Sequence, residues 1–189
     1  MEAVNDMTSH KNESTINFLN RIQRLLDMVS EKIVKVTLVS KDKPDVLREL
    51  VQILKDAGEI DDLNAVLKVV QEREHKQSTG LERGIAVPHG KTAAISSMKL
   101  AIGIAPQGID FYSLDGKLSK LFFLLVAPSN QSGPHVQALA EIVKLIRSQA
   151  FCEALIHAEN AREVVKLMKR EYIFSSRYRI EISGWAQAS

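Results

Sequence analysis

One cysteine stands among 189 residues, Cys152. It excludes an intramolecular disulfide framework and any zinc site built from several thiolates. An excess of charge of one sign is also missing. Lys and Arg number 25 against 23 Asp and Glu, a net charge of +2, and no basic stripe of a nucleic-acid binder is visible in the sequence. Aromatic residues are scarce at 5% and do not alternate with basic ones, which argues against base stacking. The longest uninterrupted apolar run, LFFLLVA at 121–127, falls far short of the roughly 20 residues a membrane helix needs. The opening MEAVNDMTSHKNEST lacks the basic start and apolar core of a signal peptide. These absences leave the expectation of a soluble, cytoplasmic protein with no direct membrane insertion and no nucleic-acid partner. The length suits one domain.

What is present reads as an alternation of helices and short strands. Residues 1–14 are polar. Phe18, Leu19, Ile22, Leu25, Leu26 and Val29 then recur at helical spacing. A β-rich piece is predicted at 33–39. Ser40-Lys-Asp-Lys-Pro44 combines an N-cap with a first-turn proline. Leu47, Leu50, Val51 and Leu54 form the stripe of the helix that follows, with Gly58 as its stop. Asp61 or Asp62 opens another helix, ending near Glu74. Strands are predicted at 84–88, 99–105 and 121–126, the last apolar on both faces as a covered strand should be. Helices follow at 135–147 and over 151–169, broken near Asn160. The tail alternates weakly at Tyr178, Ile180 and Ile182 and reads as an edge strand or a surface segment. The expected fold is an α/β sandwich with a central mixed sheet flanked by helices. The expected division is an N-terminal extension at 1–24, the domain at 25–170 and a C-terminal tail at 171–189.

His89 is the first candidate for chemistry. It lies in GIAVPHG, where Pro88 fixes an extended approach and Gly84 and Gly90 permit tight turns. That places an imidazole at the C-terminal edge of a predicted strand, where open α/β sheets put their binding crevices. A neutral imidazole nitrogen is a good nucleophile near neutral pH. A turn histidine without function fits the same local sequence equally well. His135 opens a helix, whose N-terminus favours anions, and reads either as a phosphate ligand or as an exposed first-turn residue. Arg73 and Glu74 end a predicted helix, and the planar fork of an arginine matches phosphate. Arg83 and Lys91 flank His89 as weaker anion ligands. Cys152 reads as a small core residue, and His10, His75 and His157 read as unremarkable. No HExxH pair, Walker phosphate loop or GxSxG elbow is present, so neither a metal nor a cofactor is expected.

The run RExxxxSTGxxxGIAVPHGK, from Arg73 to Lys91, resembles enzyme IIA of the bacterial phosphoenolpyruvate-dependent phosphotransferase system. The class is the mannitol/fructose type, which includes the nitrogen-regulatory enzyme IIA. The likeness continues through AIGIAPQGIDFYSLDGKLSKLFFLLVAP into the helix opened by His135, and covers about residues 25–170. It implies that His89 is the phosphorylated nucleophile, that His135 supports the phosphoryl group and that Arg73 stabilises its charge. Arg83, Gly90 and Lys91 are the remaining phosphate-site candidates, and Glu74 fits the acidic position of the motif. The implied donor is a phosphorylated HPr-like carrier, and the implied recipient is a IIB cysteine or a regulatory target. The sequence departs from the family at Glu82 and Arg83, where glycine or alanine and often asparagine stand. A different reading makes the domain a regulatory binding module whose contacts are switched by His89 phosphorylation, or are independent of it.

Overall fold

The computed structural model describes residue 23 and residues 25–185, with side chains described as far as 173. The earlier half of the predicted N-terminal helix lies outside them. Residues 25–28 form helix α1, which delivers Leu25 and Val29 to the core. A single 3-10 turn, Glu31–Ile33, leads into strand β1, Val34–Val36. The strand predicted at 33–39 is therefore shorter. Ile33 belongs to the turn, and Thr37, at φ 79°, bends the chain out of extended geometry.

Helix α2, Lys43–Asp56, starts where its capping signal stands: the Asp42 side chain accepts the Asp45 N–H at 2.9 Å. Gly58 follows its end at φ +73°. Helix α3, Leu63–Lys76, is capped in the same way by Asp62 and runs two residues past Glu74. Helix α4 spans Ser132–Leu145, α5 Gln149–Ile156 and α6 Ala161–Trp185. Helix α6 overturns the expectation for the tail. The segment after 170 continues as helix rather than forming an edge strand, because Val164, Met168 and Tyr172 recur every four residues and anchor one face in the core.

The sheet is mixed, in the order β1-β4-β5-β2, with β3 also paired to β5. Strands β4, Lys99–Ile109, and β5, Ser119–Pro128, are antiparallel, with Ile102 opposite Phe123. Strand β1 runs parallel to β4, while β2, Ile85–Ala86, and β3, His89–Thr92, both run parallel to β5. Helices on both sides explain the unbroken burial of 121–128. In β4 the two faces differ in size. Ala101, Gly103 and Ala105 alternate with Leu100, Ile102 and Ile104, all buried. A Cβ on Gly103 would stand 2.8 Å from Leu50 of α2, so the small face admits that helix.

Candidate active site

His89 is the first residue of β3, not the last of the preceding strand. Strand β2 ends at Ala86, because Pro88 has no N–H to donate to a ladder. The chain then re-pairs with β5, with the Leu125 N–H donating to the Pro88 carbonyl at 3.0 Å and His89 in register with Leu125. This stitch fixes the imidazole beside the end of α3. Gly90 makes the approach possible, since a Cβ there would come within 3.2–3.3 Å of Val69 and Val70. Its contribution is close packing of α3 on β3.

Two contacts define the state of the His89 ring. Nδ1 lies 2.9 Å from the Val87 carbonyl, and a carbonyl only accepts, so Nδ1 carries the proton. Nε2 is then the lone-pair nitrogen, and it accepts the Arg73 Nε–H at 3.0 Å. Burial holds the imidazole below its ordinary pKa, and the neighbouring Arg73 cation acts in the same direction. The ring is neutral at pH 7 with a single nucleophilic atom.

Arg73 is itself held. One terminal nitrogen donates to the Gln77 carbonyl at 2.9 Å. The turn carrying that carbonyl is tied down by the next residue of α3. The buried Glu74 carboxylate accepts the Thr79 N–H at 2.8 Å and the Thr79 hydroxyl, and pairs with Lys43 of α2 at 2.6 Å. Lys43 also donates to Ser78 Oγ and to the Phe111 carbonyl. Glu74 thus serves as the anchor of the arginine's turn. The sequence offered no signal for its pairing with Lys43, because the two residues lie on different helices.

His135 stands in the first turn of α4 and is buried rather than exposed, at 6% of its accessible surface. Its ring centroid is 5.6 Å from that of His89, with the planes 56° apart. Burial, with the nearby His89 and Lys91, pushes its pKa down to about 4, so it too is neutral at pH 7. Its Nε2 finds no hydrogen-bond partner among the described residues. A buried nitrogen without a partner is costly and points to a ligand atom that completes it. Lys91, two residues after His89 and so on the same face of β3, donates to Ser132 Oγ at 3.0 Å, at the start of α4.

Four of the sequence candidates therefore converge: His89, Arg73, His135 and Lys91. Arg83 does not join them. Its guanidinium donates to the Ile146 and Arg147 carbonyls just after α4, at 3.0 and 3.3 Å. Its backbone sits at φ 62°, a conformation suited to glycine or asparagine. Glu82 is exposed. Cys152 is buried in α5, and burial raises its thiol to about 11, which makes it inert.

This arrangement can hold a tetrahedral anion on an imidazole nitrogen, with a guanidinium, an ammonium and a second imidazole around it. Residues 27–171 match the family described as phosphoenolpyruvate-dependent sugar phosphotransferase system, EIIA 2. Over 137 residues the chain is 33% identical to the fructose-specific EIIA component of Haloferax volcanii, covering 70% of this chain and 89% of that protein. Over 146 residues it is 30% identical to a nitrogen regulatory protein of Bradyrhizobium diazoefficiens, covering 76% and 94%. It is 29% identical over 147 residues to the fructose-specific EIIABC component of Bacillus subtilis, covering 78% of this chain but only 23% of that longer protein. Among solved structures, the nitrogen regulatory protein IIA-Ntr of Neisseria meningitidis superposes with a TM-score of 0.71 at 24% identity, covering 76% of this chain and 98% of that one. The mannitol enzyme IIA of Escherichia coli, in complex with phosphorylated mannitol enzyme IIB, superposes at 0.64 and 19% identity, covering 74% and 96%. These two likenesses establish a shared fold.

Proposed function

The chain belongs to the EIIA 2 family of the phosphoenolpyruvate-dependent sugar phosphotransferase system, and from that membership we propose that it carries a phosphoryl group on Nε2 of His89. The observation that supports this most is the fixed tautomer: Val87 holds the proton on Nδ1, and Arg73 marks the direction of the Nε2 lone pair. In the transfer, the Nε2 lone pair attacks phosphorus in line. The P–N bond to the donor breaks as the new one forms, and the donor recovers its lone pair. The proton on Nδ1 stays where it is, shared with the Val87 carbonyl. Arg73 releases Nε2 as phosphorus arrives and turns its N–H groups to the phosphoryl oxygens, joined by His135 and Lys91. No step requires a metal.

The donor that suits this chemistry is a phosphorylated HPr-like carrier in the cytoplasm. The recipient is a IIB cysteine, in keeping with the IIA–IIB complex of the mannitol relative, or the phosphorylated form is itself a regulatory state, in keeping with the nitrogen regulatory relative. The test is intact-protein mass spectrometry after incubation with phosphoenolpyruvate, enzyme I and HPr. The expected result is an acid-labile, phosphoryl-sized gain in the natural chain and none in His89→Ala. A gain of the same size in both would overturn the assignment.

A further inference from the structure

Helix α6 carries a feature that phosphoryl transfer does not use. The family match ends at residue 171, yet the helix continues to Trp185. Its inward face is set by Val164, Met168 and Tyr172. Its outward face places Arg162, Lys166, Lys169 and Arg170 in one row, all exposed, at spacings of four, three and one. Between them runs a shallow open groove floored by Val165 and Ile173, and Ile173 is 54% exposed. The row spans roughly 12 Å at the rise of an α-helix. With the exposed Glu163 on the same helix and Glu31 in the groove, this face carries a net charge of +2, as much as the whole chain. The sequence read linearly showed no basic stripe; helical folding makes one.

We propose that this face of α6 docks peripherally on an anionic lipid surface. Three observations favour lipid over a folded acidic partner. First, the cations are not pre-positioned. Only Arg162 has an ion pair, an exposed one with Glu31 at 3.5 Å, and Lys166, Lys169 and Arg170 make none among the described residues. A diffuse plane of phosphates satisfies such a row without matched geometry, whereas a specific peptide site holds its arginines in fixed forks. Second, an exposed isoleucine lies level with the cations, as in helices that rest in the headgroup layer. Third, the sequence that continues the helix, FSSRYRIEISGW, sets Arg177 and Arg179 against one acid, Glu181, and adds Phe174, Tyr178 and Trp185, aromatic residues of the kind enriched at a water–lipid boundary. No described helix is long and apolar enough to span a bilayer, so the contact is on the surface and not through it.

The experiment pellets the full chain with vesicles of phosphatidylcholine containing phosphatidylglycerol, and with vesicles of phosphatidylcholine alone, at low and high salt. Trp185, the only tryptophan, supplies a second readout. The proposal expects pelleting and a blue shift of Trp185 emission with the anionic vesicles alone, both weakened by salt. Each neutralised cation is expected to lower the partition coefficient about fivefold, so R162Q/K166Q/K169Q/R170Q is released. Circular dichroism verifies its fold, and K169Q/R170Q serves if the fourfold variant misfolds. No pelleting with anionic vesicles overturns the proposal, as does pelleting unchanged in either variant. Dimerisation by light scattering, or binding to duplex DNA, that depends on these cations while vesicle binding is absent also overturns it.

Discussion

Arg73 and His89 share one hydrogen bond across sixteen residues, with the arginine Nε–H pointing at the imidazole nitrogen that has a lone pair to give. In the proposed transfer, the guanidinium masks the acceptor atom at rest and turns to the phosphoryl oxygens once that atom is engaged. Arg73→Ala is therefore expected to slow phosphoryl transfer by about 10²–10³-fold, the usual loss for one stabilising donor. It is also expected to raise the His89 pKa, because the cation is one of the groups holding it down. An NMR titration of the His89 ring reads that second effect independently of transfer.

The two imidazoles make folding stability depend on pH in one direction. His135 is held at about 4 in the fold against about 6.5 in the unfolded chain. Above pH 6.5 both states are neutral and stability is full. Between 6.5 and 4 the unfolded chain binds a proton that the fold refuses, so stability falls as pH falls. Below 4 this contribution changes no further. Urea denaturation at pH 7 and pH 5 should show the natural chain losing stability and His135→Gln losing distinctly less. The same variant should pass its phosphoryl group to water faster than the natural protein.

Much of this was legible in the sequence, and the rest was not for identifiable reasons. The caps at Asp42 and Asp62 and the stripes of α2 and α3 are local signals, and they placed those helices well. The GIAVPHG run singled out His89 by local residue type, whereas His135, 46 residues away, stood out only as the opener of a helix and was paired with His89 by the family resemblance alone. The Glu74–Lys43 pair did not show, because it joins two helices through space. Arg83 misled because nearness to His89 along the chain says nothing of direction; its side chain turns to the carbonyls after α4 instead. The tail misled because a weak alternation of period two was read without the period-four anchors at Val164, Met168 and Tyr172.

Glu74→Gln should destabilise the protein by about 3–5 kcal/mol, because it leaves the Lys43 ammonium buried without its counter-charge. Adding Lys43→Met should recover part of that loss. Transfer should stay impaired in the double variant, since the turn that aligns Arg73 through Gln77 has lost its anchor. Denaturation curves and transfer rates on the three proteins check both halves. Full recovery of transfer would remove Glu74 from the site's support.

Gly90→Ala tests the packing that brings α3 to β3. The new methyl group would press on Val69 and Val70 at 3.2–3.3 Å. A destabilisation of about 1–3 kcal/mol is expected, with a slower transfer rate as Arg73 shifts with its helix.

Arg83→Asn should leave the rate of His89 phosphorylation unchanged within about twofold, since the arginine is spent on the end of α4. It loses the two contacts to Ile146 and Arg147 but relieves a left-handed backbone position that asparagine tolerates. The rate of mass gain, compared with the natural chain, decides it.

The most direct test of the account is to locate the phosphoryl group at atomic level, by a nitrogen–phosphorus and nitrogen–proton correlation spectrum of the ¹⁵N-labelled, phosphorylated protein. The account predicts phosphorus coupled to Nε2 of His89, with the Nδ1 proton retained against the Val87 carbonyl. Phosphorus on Nδ1 of His89, or on His135, would contradict it.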